Sequence, residues 1–157
     1  MLKVKFDYLI KRFDCFLFDQ WGVLHDGKNK FKFIDKTLKM LKLKSKCSII
    51  LSNTSQNEAE AKRDTLKKLK INELYFDKVI TSGGYLEHIA LSKSKKFLKL
   101  NNILKLKKCY LISNKNKNEV INNIGLKKSS TKSAKFILAM SVKPLESLED
   151  YKKILKK

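Results

Sequence analysis

The feature that most constrains the fold of this chain is the alternation of short apolar runs with stretches of helical periodicity. Five apolar runs occupy residues 13–19, 47–52, 77–81, 108–113 and 134–140. Between the first two runs, Ile34, Leu38 and Leu41 recur at the spacing that puts side chains on one face of a helix. Strands that alternate with helices form parallel sheets, because each parallel connection needs a crossover segment. The pattern therefore predicts an α/β fold with a Rossmann-like, mainly parallel sheet.

The first two apolar runs are predicted to be strands that are buried on both faces. Residues 13–19 and 47–52 are almost continuously apolar, which is typical of parallel strands covered by helices. Cys15 and Cys47 lie in these runs, and Cys109 lies in a later one. The sequence has no Cys-x-x-Cys pair and no zinc-ligand spacing. We therefore predict reduced cysteines in the core rather than a redox or metal site.

Two serines that are followed three residues later by an acid indicate helix starts. The pairs are Ser55 with Glu58 and Ser147 with Asp150, and each has the form of a capping box. The helix that starts near Ser55 is predicted to end at about residue 70, and the next helix is predicted to span about 85–99. The Gly-Gly pair at 83 and 84 is predicted to end the third strand.

The chain is strongly basic, but its charge does not by itself assign a function. Lysine and arginine total 36 against 15 aspartate and glutamate, which gives a formal net charge of +21 over 157 residues. Such a surplus is typical of proteins that neutralise nucleic-acid phosphates. The lysines are nevertheless spread along the whole sequence, and Arg12 and Arg63 are the only arginines, the residue type that usually reads bases and phosphates. We therefore keep nucleic-acid binding only as a minor alternative.

Hydropathy argues against three other classes of protein: disordered basic tails, membrane-spanning proteins and secreted proteins. Hydrophobic residues make up 43% of the chain, which is too many for a disordered basic tail. No apolar run approaches the ~18–20 residues of a membrane span. Residues 1–12 have neither the apolar centre nor the cleavage site of a signal peptide. We expect a cytoplasmic protein without a membrane partner.

Polar side chains at the ends of the first two predicted strands indicate the chemistry. Asp19 ends the first strand, and Ser52 and Asn53 end the second. In open α/β sheets, ligands bind at the carboxyl ends of the strands. A carboxylate there can attack phosphorus and form an aspartyl phosphate, with Mg²⁺ to screen the like charges. The Ser52 hydroxyl and backbone amides would hold the phosphate oxygens.

At these residues the sequence resembles the haloacid dehalogenase superfamily of phosphohydrolases. The segment from Asp19 to Gly27 reads Asp-Gln-Trp-Gly-Val-Leu-His-Asp-Gly, which is similar to the first motif of one branch of capped subfamily IIA. This subfamily includes sugar-phosphate and nitrophenyl-phosphate phosphatases. Residues 49–53 are similar to its second motif, and residues 79–83 to the strand and turn before the cap. The resemblance implies a partial core at residues 1–84 and the first part of an α/β cap at residues 85–157.

The resemblance also implies a role for each candidate residue. Asp19 would be the nucleophile, and together with the backbone carbonyl of Trp21 it would bind Mg²⁺. The substrate would be a small phosphorylated metabolite, whose phosphoryl group passes to the aspartate and then to water. The phosphate-binding residues would be Trp21, Gly22, Ser52 and Asn53.

Trp21 departs from the family pattern in a way that bears on catalysis. Most phosphatases of this superfamily have a second aspartate two residues after the nucleophile, where it serves as general acid and base. An indole has no proton to exchange near neutral pH, and the loss of a placed acid typically costs ~10²–10⁴ in rate. His25 or Asp26, in the turn just beyond, could supply the missing proton; otherwise these two residues only shape a hairpin.

The resemblance further implies that the chain is incomplete at its C-terminus. The family's third motif, a lysine, and its fourth, a pair of acids that complete the metal site, follow the cap. No Gly-Asp pair followed by acids occurs after Asn53. We therefore expect weak or no phosphatase activity from this chain. The alternatives are a non-catalytic binding or assembly module and half of a split enzyme, with a complementing chain or a homo-oligomer as the partner.

Overall fold

The computed structural model describes residues 5–92, 94–114, 119–141 and 147–156. The chain divides into two units. The first unit comprises Met1–Thr54 and Glu58–Ser82, and the second unit comprises Ser55–Asn57 and Gly83–Lys157. Each unit contains a three-stranded parallel sheet, so the predicted α/β fold class is confirmed. The core and cap roles of residues 1–84 and 85–157 stay predictions.

The first unit has a sheet with the strand order β1-β2-β3. Its elements in chain order are α1 (Phe6–Arg12), β1 (Cys15–Asp19), α2 (Ile34–Leu43), β2 (Cys47–Ser52), α3 (Glu58–Ala61) and β3 (Lys78–Thr81). Asp19 pairs with Leu51 across β1 and β2, and Ser52 pairs with Thr81 across β2 and β3. The carboxyl ends of all three strands therefore meet at one edge of the sheet.

The apolar face of α2 forms part of the core of the first unit. Leu38 and Leu41 are fully buried, as their helical spacing predicts. Leu38 packs in one hydrophobic cluster with Ile50 of β2 and Val79 of β3. Full burial of a side chain of this size contributes about 1.5–3 kcal/mol. The prediction of a second buried strand at residues 47–52 is confirmed, because Ser48 and Ile50 are buried and the other residues of β2 are half-buried.

β1 differs from the predicted strand that is buried on both faces. Within the described residues it pairs with β2 alone. Phe16 and Phe18 are half-buried, whereas Cys15, Leu17 and Asp19 are exposed. The exposed fraction of Leu17 is 62%. The prediction was wrong because an unbroken apolar run does not distinguish a central strand from an edge strand covered on one face.

The three cysteines differ in how deeply they are buried. All three are free thiols, of which Cys109 is buried, Cys47 is half-buried and Cys15 is exposed. The prediction of a core cysteine is confirmed for Cys109 and wrong for Cys15, because Cys15 begins the edge strand.

The helix after β2 starts later than its capping pattern predicts. It begins at Glu58 as α3, three residues beyond Ser55, and continues as a π-helical segment, Lys62–Lys67, with a turn to Lys70. Its end agrees with the prediction, but its start does not, because Ser55 is not adjacent to the first helical residue. Ser55 instead lies in the loop of residues Ser55–Asn57, which is part of the second unit.

The second unit has a parallel sheet with the strand order β5-β4-β6. Its elements are α4 (Ser82–Leu91), α5 (Leu98–Leu104), β4 (Lys108–Ile112), α6 (Glu119–Asn123), β5 (Lys127–Lys128), β6 (Phe136–Ala139) and α7 (Leu148–Leu155). Ser82, the first residue of α4, belongs to the first unit, and the rest of α4 belongs to the second. The capping box between Ser147 and Asp150 at the start of α7 is confirmed. No helix in the described part of the chain combines the length and apolar composition needed to cross a membrane.

The glycine pair predicted to end β3 lies inside a helix. α4 already begins at Ser82, and the helix predicted for residues 85–99 ends at Leu91, before a short 3₁₀ turn and α5. A Cβ atom on Gly83 would lie 2.3 Å from the carbonyl oxygen of Ser55 and 2.4 Å from that of Gln56. The absence of a side chain at Gly83 therefore permits close contact between α4 and this loop.

Candidate functional site

The candidate site lies in the first unit, at the carboxyl ends of β1 and β2. Asp19 is the last residue of β1, and the N–H of Gln20 donates to the carbonyl oxygen of Leu51 at 2.9 Å. Ser52 ends β2, one residue beyond the partner of Asp19. Parallel pairing thus brings the two predicted residues to neighbouring strand ends, as the sequence indicates.

The polar groups at these strand ends differ in exposure. Asp19 and Asn53 are exposed, and Ser52 is half-buried. The N–H of Thr54 donates to Ser52 Oγ over 3.4 Å. Because this oxygen accepts from the backbone, the hydroxyl hydrogen of Ser52 can still be donated to an anion.

A tight turn follows Asp19 and orders the rest of the predicted motif. The N–H of Gly22 donates to the carbonyl oxygen of His25 at 2.8 Å, and the N–H of Leu24 donates to that of Gln20 at 3.0 Å. Gly22 and Gly27 have φ values of +80° and +95°, which favour glycine because other residues meet steric conflict there. The Gly22 amide is thus engaged within the turn, and the predicted phosphate-binding role of Gly22 stays a prediction.

His25 is held inside the turn. Its exposed fraction is 3%, and its Nδ1 atom accepts the N–H of Gly27 at 2.9 Å. Burial lowers the pKa of His25, although the neighbouring Asp26 acts in the opposite direction. A neutral ring that accepts at Nδ1 carries its proton on Nε2, and this atom is buried without a hydrogen-bond partner in the described residues. The predicted proton-donor role of His25 stays a prediction, and it would require this Nε2–H group.

Asp26 stabilises the next bend of the chain. Its Oδ1 atom accepts the backbone N–H groups of Asn29 at 2.6 Å and Lys28 at 2.8 Å. These two hydrogen bonds lower the pKa of Asp26, because they favour the ionised carboxylate. The side chain is exposed and ionised at neutral pH, so it lacks a proton to give. Its predicted role as a substitute acid likewise stays a prediction.

Trp21 lies on the surface of the turn. The exposed fraction of its side chain is 66%, and a Cβ atom on Gly27 would lie 3.2 Å from indole Nε1. The indole therefore lies against Gly27 rather than in the core. Val23 and Phe33, in the same connection between β1 and α2, are also exposed.

Gln20 is a neighbour of the site that the sequence reasoning missed. Its exposed fraction is 3%, although it directly follows the exposed Asp19. Alternation along a strand is the signal that could have identified it, because successive side chains point to opposite faces.

Metal-binding groups are few in the described part of the chain. Among those residues, no three side chains of His, Cys, Asp or Glu come close enough together to hold a metal ion. Asp19 and the carbonyl group of Trp21 are the oxygen donors that the sequence analysis assigns to such an ion. These two protein ligands would leave most of the octahedral Mg²⁺ shell to water and phosphate oxygens.

Comparison with known proteins identifies a matching family model and similar structures. A family model described as haloacid dehalogenase-like hydrolase matches residues 16–127. No curated protein matches the sequence. The structure is similar to that of a haloacid dehalogenase-like hydrolase from Brucella suis 1330, with a TM-score of 0.78 and 20% identity over 99% of this chain and 53% of that chain. This chain thus spans about half the length of the Brucella protein.

A second similar structure comes from Mycobacterium tuberculosis. It is a glycerol phosphate phosphatase in complex with calcium, with a TM-score of 0.52 and 12% identity. The similarity covers 93% of this chain and 40% of that chain. At these identities, both structures support the fold.

Proposed function

The chain belongs to the haloacid dehalogenase-like hydrolase family, and on this premise we propose that its first unit binds a phosphoryl group at the carboxyl ends of β1 and β2. The substrate is a small phosphorylated metabolite, in keeping with the glycerol phosphate phosphatase among the similar structures. The observation that carries the proposal is the register of the strands, in which Asp19 pairs with Leu51 and Ser52 follows directly.

The proposed reaction has two steps at Asp19. Its carboxylate oxygen attacks phosphorus, so that an aspartyl-phosphate bond forms and the bond from phosphorus to the leaving oxygen breaks. The leaving oxygen takes a proton and departs as an alcohol. Water then attacks phosphorus, releases inorganic phosphate and restores the carboxylate. The exposed position of Asp19 allows a substrate to approach it.

Hydrogen-bond donors next to Asp19 would hold the phosphate oxygens. The Ser52 hydroxyl and the backbone amides of Trp21 and Asn53 are the donors we assign. Gly22, the remaining predicted phosphate-binding residue, donates its amide hydrogen to the carbonyl oxygen of His25 and has the positive φ of the turn.

The divalent cation in this proposal is Mg²⁺, with Asp19 and the carbonyl oxygen of Trp21 as its ligands from this chain. The ion would screen the charge of the phosphate from that of the carboxylate. The described residues alone do not fit a complete site for it, since they contain no cluster of three ligating side chains. With only these two ligands from the chain, the ion would be weakly held, and water and phosphate oxygens would complete its shell.

The same arrangement leads us to propose slow turnover. Trp21 cannot donate a proton, Asp26 is ionised, and His25 is neutral and enclosed by the turn. The leaving oxygen would then take its proton from water, at a cost of ~10²–10⁴ in rate compared with a placed acid.

We also propose that the protein belongs to the capped branch of the family and acts in the cytoplasm. In this proposal the second unit forms the first part of the cap. The cytoplasmic location is supported by the three free cysteines, since disulfides are rare in that compartment.

Phosphate binding can be tested through the single tryptophan of the chain. Trp21 lies two residues after Asp19, so its fluorescence should change saturably when inorganic phosphate is added in the presence of Mg²⁺. Ser52→Ala should lower the affinity about tenfold or more, because a hydrogen bond to a charged group contributes about 1.5–3 kcal/mol. Asp14→Asn is the matched control, since Asp14 precedes β1 at its other end and pairs with Lys46. Equal affinities of the wild type and Ser52→Ala would contradict the proposal.

A second candidate function, an assembly module, is favoured by the open edge of β1. Within the described residues, β1 has a partner strand on one side only, and Leu17 is exposed. The chain also spans 53% of the Brucella structure. In this proposal, a complementing polypeptide adds a strand to β1. It would be acidic, because a net charge of +21 favours an oppositely charged partner over a second copy.

Co-expression tests this second function. A neighbouring reading frame that encodes a polypeptide with Gly-Asp and further acids should yield a complex with this chain. Leu17→Asp should prevent the complex, whereas Leu43→Asp, on an equally exposed leucine of α2, should not. A homodimer in the absence of the second polypeptide would instead identify a second copy as the partner and contradict the assembly proposal.

A further inference from the structure

Two cysteines stand side by side at the amino ends of β1 and β2. Cys15 is the first residue of β1 and Cys47 the first of β2, and the parallel register makes them direct Cα partners. Neighbouring strands lie about 4.8 Å apart, which falls within the Cα separation of about 4.4–6.8 Å found in disulfides. Residues paired in this way point their side chains to the same face of a sheet, so the two thiols are neighbours there. The fold thus brings together thiols that are 32 positions apart in the sequence.

The pair is open to small reagents on the side of β1. Cys15 is exposed and Cys47 is half-buried, whereas Cys109 is buried in the core of the second unit. Both paired thiols are free. A reagent in solution therefore reaches Cys15 first, and the resolving thiol is already next to it.

We propose that Cys15 and Cys47 form a thiol-modification site, which a small-molecule disulfide such as oxidised glutathione converts into an intramolecular disulfide. In the first step the Cys15 thiolate attacks one sulfur of the reagent, which forms a mixed disulfide and releases one molecule of thiol. In the second step the Cys47 thiolate attacks the Cys15 sulfur and releases the second thiol. The protein loses two electrons and two protons, and the reagent is reduced to two thiols.

The surroundings of Cys47 support this order of steps. The adjacent Cys15 thiol, followed by burial, raises the pKa of Cys47 above its usual value. The nearby Asp77 acts in the same direction, and Lys42 opposes it. Because a raised pKa lowers the fraction of thiolate and the side chain is half-buried, Cys47 is poorly suited to attack an external reagent and acts as the resolving residue.

The site is separate from the proposed phosphoryl site. Cys15 and Asp19 occupy opposite ends of β1, four residues apart, which corresponds to about 13 Å along a strand. Oxidation would join the edge strand to its neighbour at the end remote from Asp19. We therefore expect the disulfide to hold β1 in the sheet without blocking the phosphate donors at Ser52 and Asn53.

The test is oxidation of the whole chain with oxidised glutathione, followed by mass spectrometry of peptides under non-reducing conditions. The wild type should lose two hydrogen atoms, with Cys15 linked to Cys47 and Cys109 still free. Cys47→Ser should instead keep glutathione on Cys15, since the resolving thiol is absent. Cys109→Ala is the matched control and should form the same disulfide as the wild type.

Three results would overturn the proposal. The first is a mixed disulfide on Cys15 that persists in the wild type as it does in Cys47→Ser. The second is a crosslink between two chains through Cys15. The third is a disulfide that includes Cys109. Because the readout identifies the linked residues, it does not depend on phosphatase activity or on phosphate binding.

Discussion

Replacement of Gly83 by alanine tests how closely α4 approaches the loop that follows the candidate site. A Cβ atom there would lie 2.3 Å from the oxygen of Ser55 and 2.4 Å from that of Gln56, whereas ordinary contacts begin at 3.4 Å. The helix or the loop must therefore move by about 1 Å. Both contacting atoms belong to the backbone, so side-chain rotation cannot relieve the conflict.

The magnitude follows from two opposing effects. Forcing an extra carbon into a packed site typically costs about 1–3 kcal/mol, and alanine is favoured over glycine in a helix by about 0.8–1 kcal/mol. The steric effect is the larger at a contact this short, so we expect a net loss of about 1–2 kcal/mol in the free energy of unfolding. Asn57, which donates to Glu87 of α4 at 3.2 Å, further limits movement of the loop.

Urea unfolding followed by far-ultraviolet circular dichroism measures this loss. The midpoint of the transition should fall by roughly 0.5–1 M if the urea dependence is about 2 kcal/mol per M, the middle of its typical range. Ser82→Ala, at the exposed first residue of the same helix, is the control and should stay within about 0.5 kcal/mol of the wild type. A Gly83→Ala protein as stable as the wild type, or more stable, would refute the reasoning.

Three further predictions concern the first unit. The pKa of Asp77 is lowered by hydrogen bonds from the Ser48 amide and from Lys42. Ionised Asp77 therefore stabilises the folded protein above the pKa that it has in the unfolded chain, and this effect is lost as the pH falls through its pKa in the folded protein. The urea midpoint should fall on acidification in the wild type, and it should fall less in Asp77→Asn. Leu38→Ala should lower the free energy of unfolding by about 2–5 kcal/mol, because the side chain is fully buried in the core, and a loss below 1 kcal/mol would contradict that packing. Trp21→Asp should raise the hydrolysis of a generic phosphate ester, by at most ~10²–10⁴, and an unchanged rate would show that proton transfer does not limit turnover.

The order of the elements could be predicted from the sequence, because it depends on local periodicity. The register that brings Asp19 next to Ser52, one residue beyond its partner Leu51, also follows from two parallel strands of similar length, each with a polar residue at its end. The helix at residues 34–44 was predictable for the same reason, since Leu38 and Leu41 occur at helical spacing.

The remaining features depend on contacts between distant segments, which local patterns do not contain. The exposure of Leu17 reflects an uncovered face of β1 within the described residues, although the open edge of this strand was expected from the family resemblance. The position of Gly83 within a helix depends on the approach of Ser55. The pairing of Cys15 with Cys47 requires the register of two strands, so the spacing of the cysteines could not reveal it.

The turn after Asp19 also has features that its local sequence did not predict. The sequence indicated His25 and Asp26 as equivalent candidates for a proton donor. Folding separates them, because His25 enters the buried side of the turn and Asp26 remains exposed. Their pKa values are both lowered, by burial in the first case and by backbone hydrogen bonds in the second.

The most direct test of the central claim is detection of phosphate on Asp19. The wild-type chain would be incubated with a small acyl phosphate and Mg²⁺, quenched in acid and mapped by mass spectrometry, with hydroxylamine used to cleave any acyl-phosphate bond. We predict one hydroxylamine-sensitive phosphate on Asp19, absent from Asp19→Asn and retained in Asp14→Asn. Phosphate on other carboxylates with none on Asp19, or equal labelling of Asp19→Asn, would contradict the account.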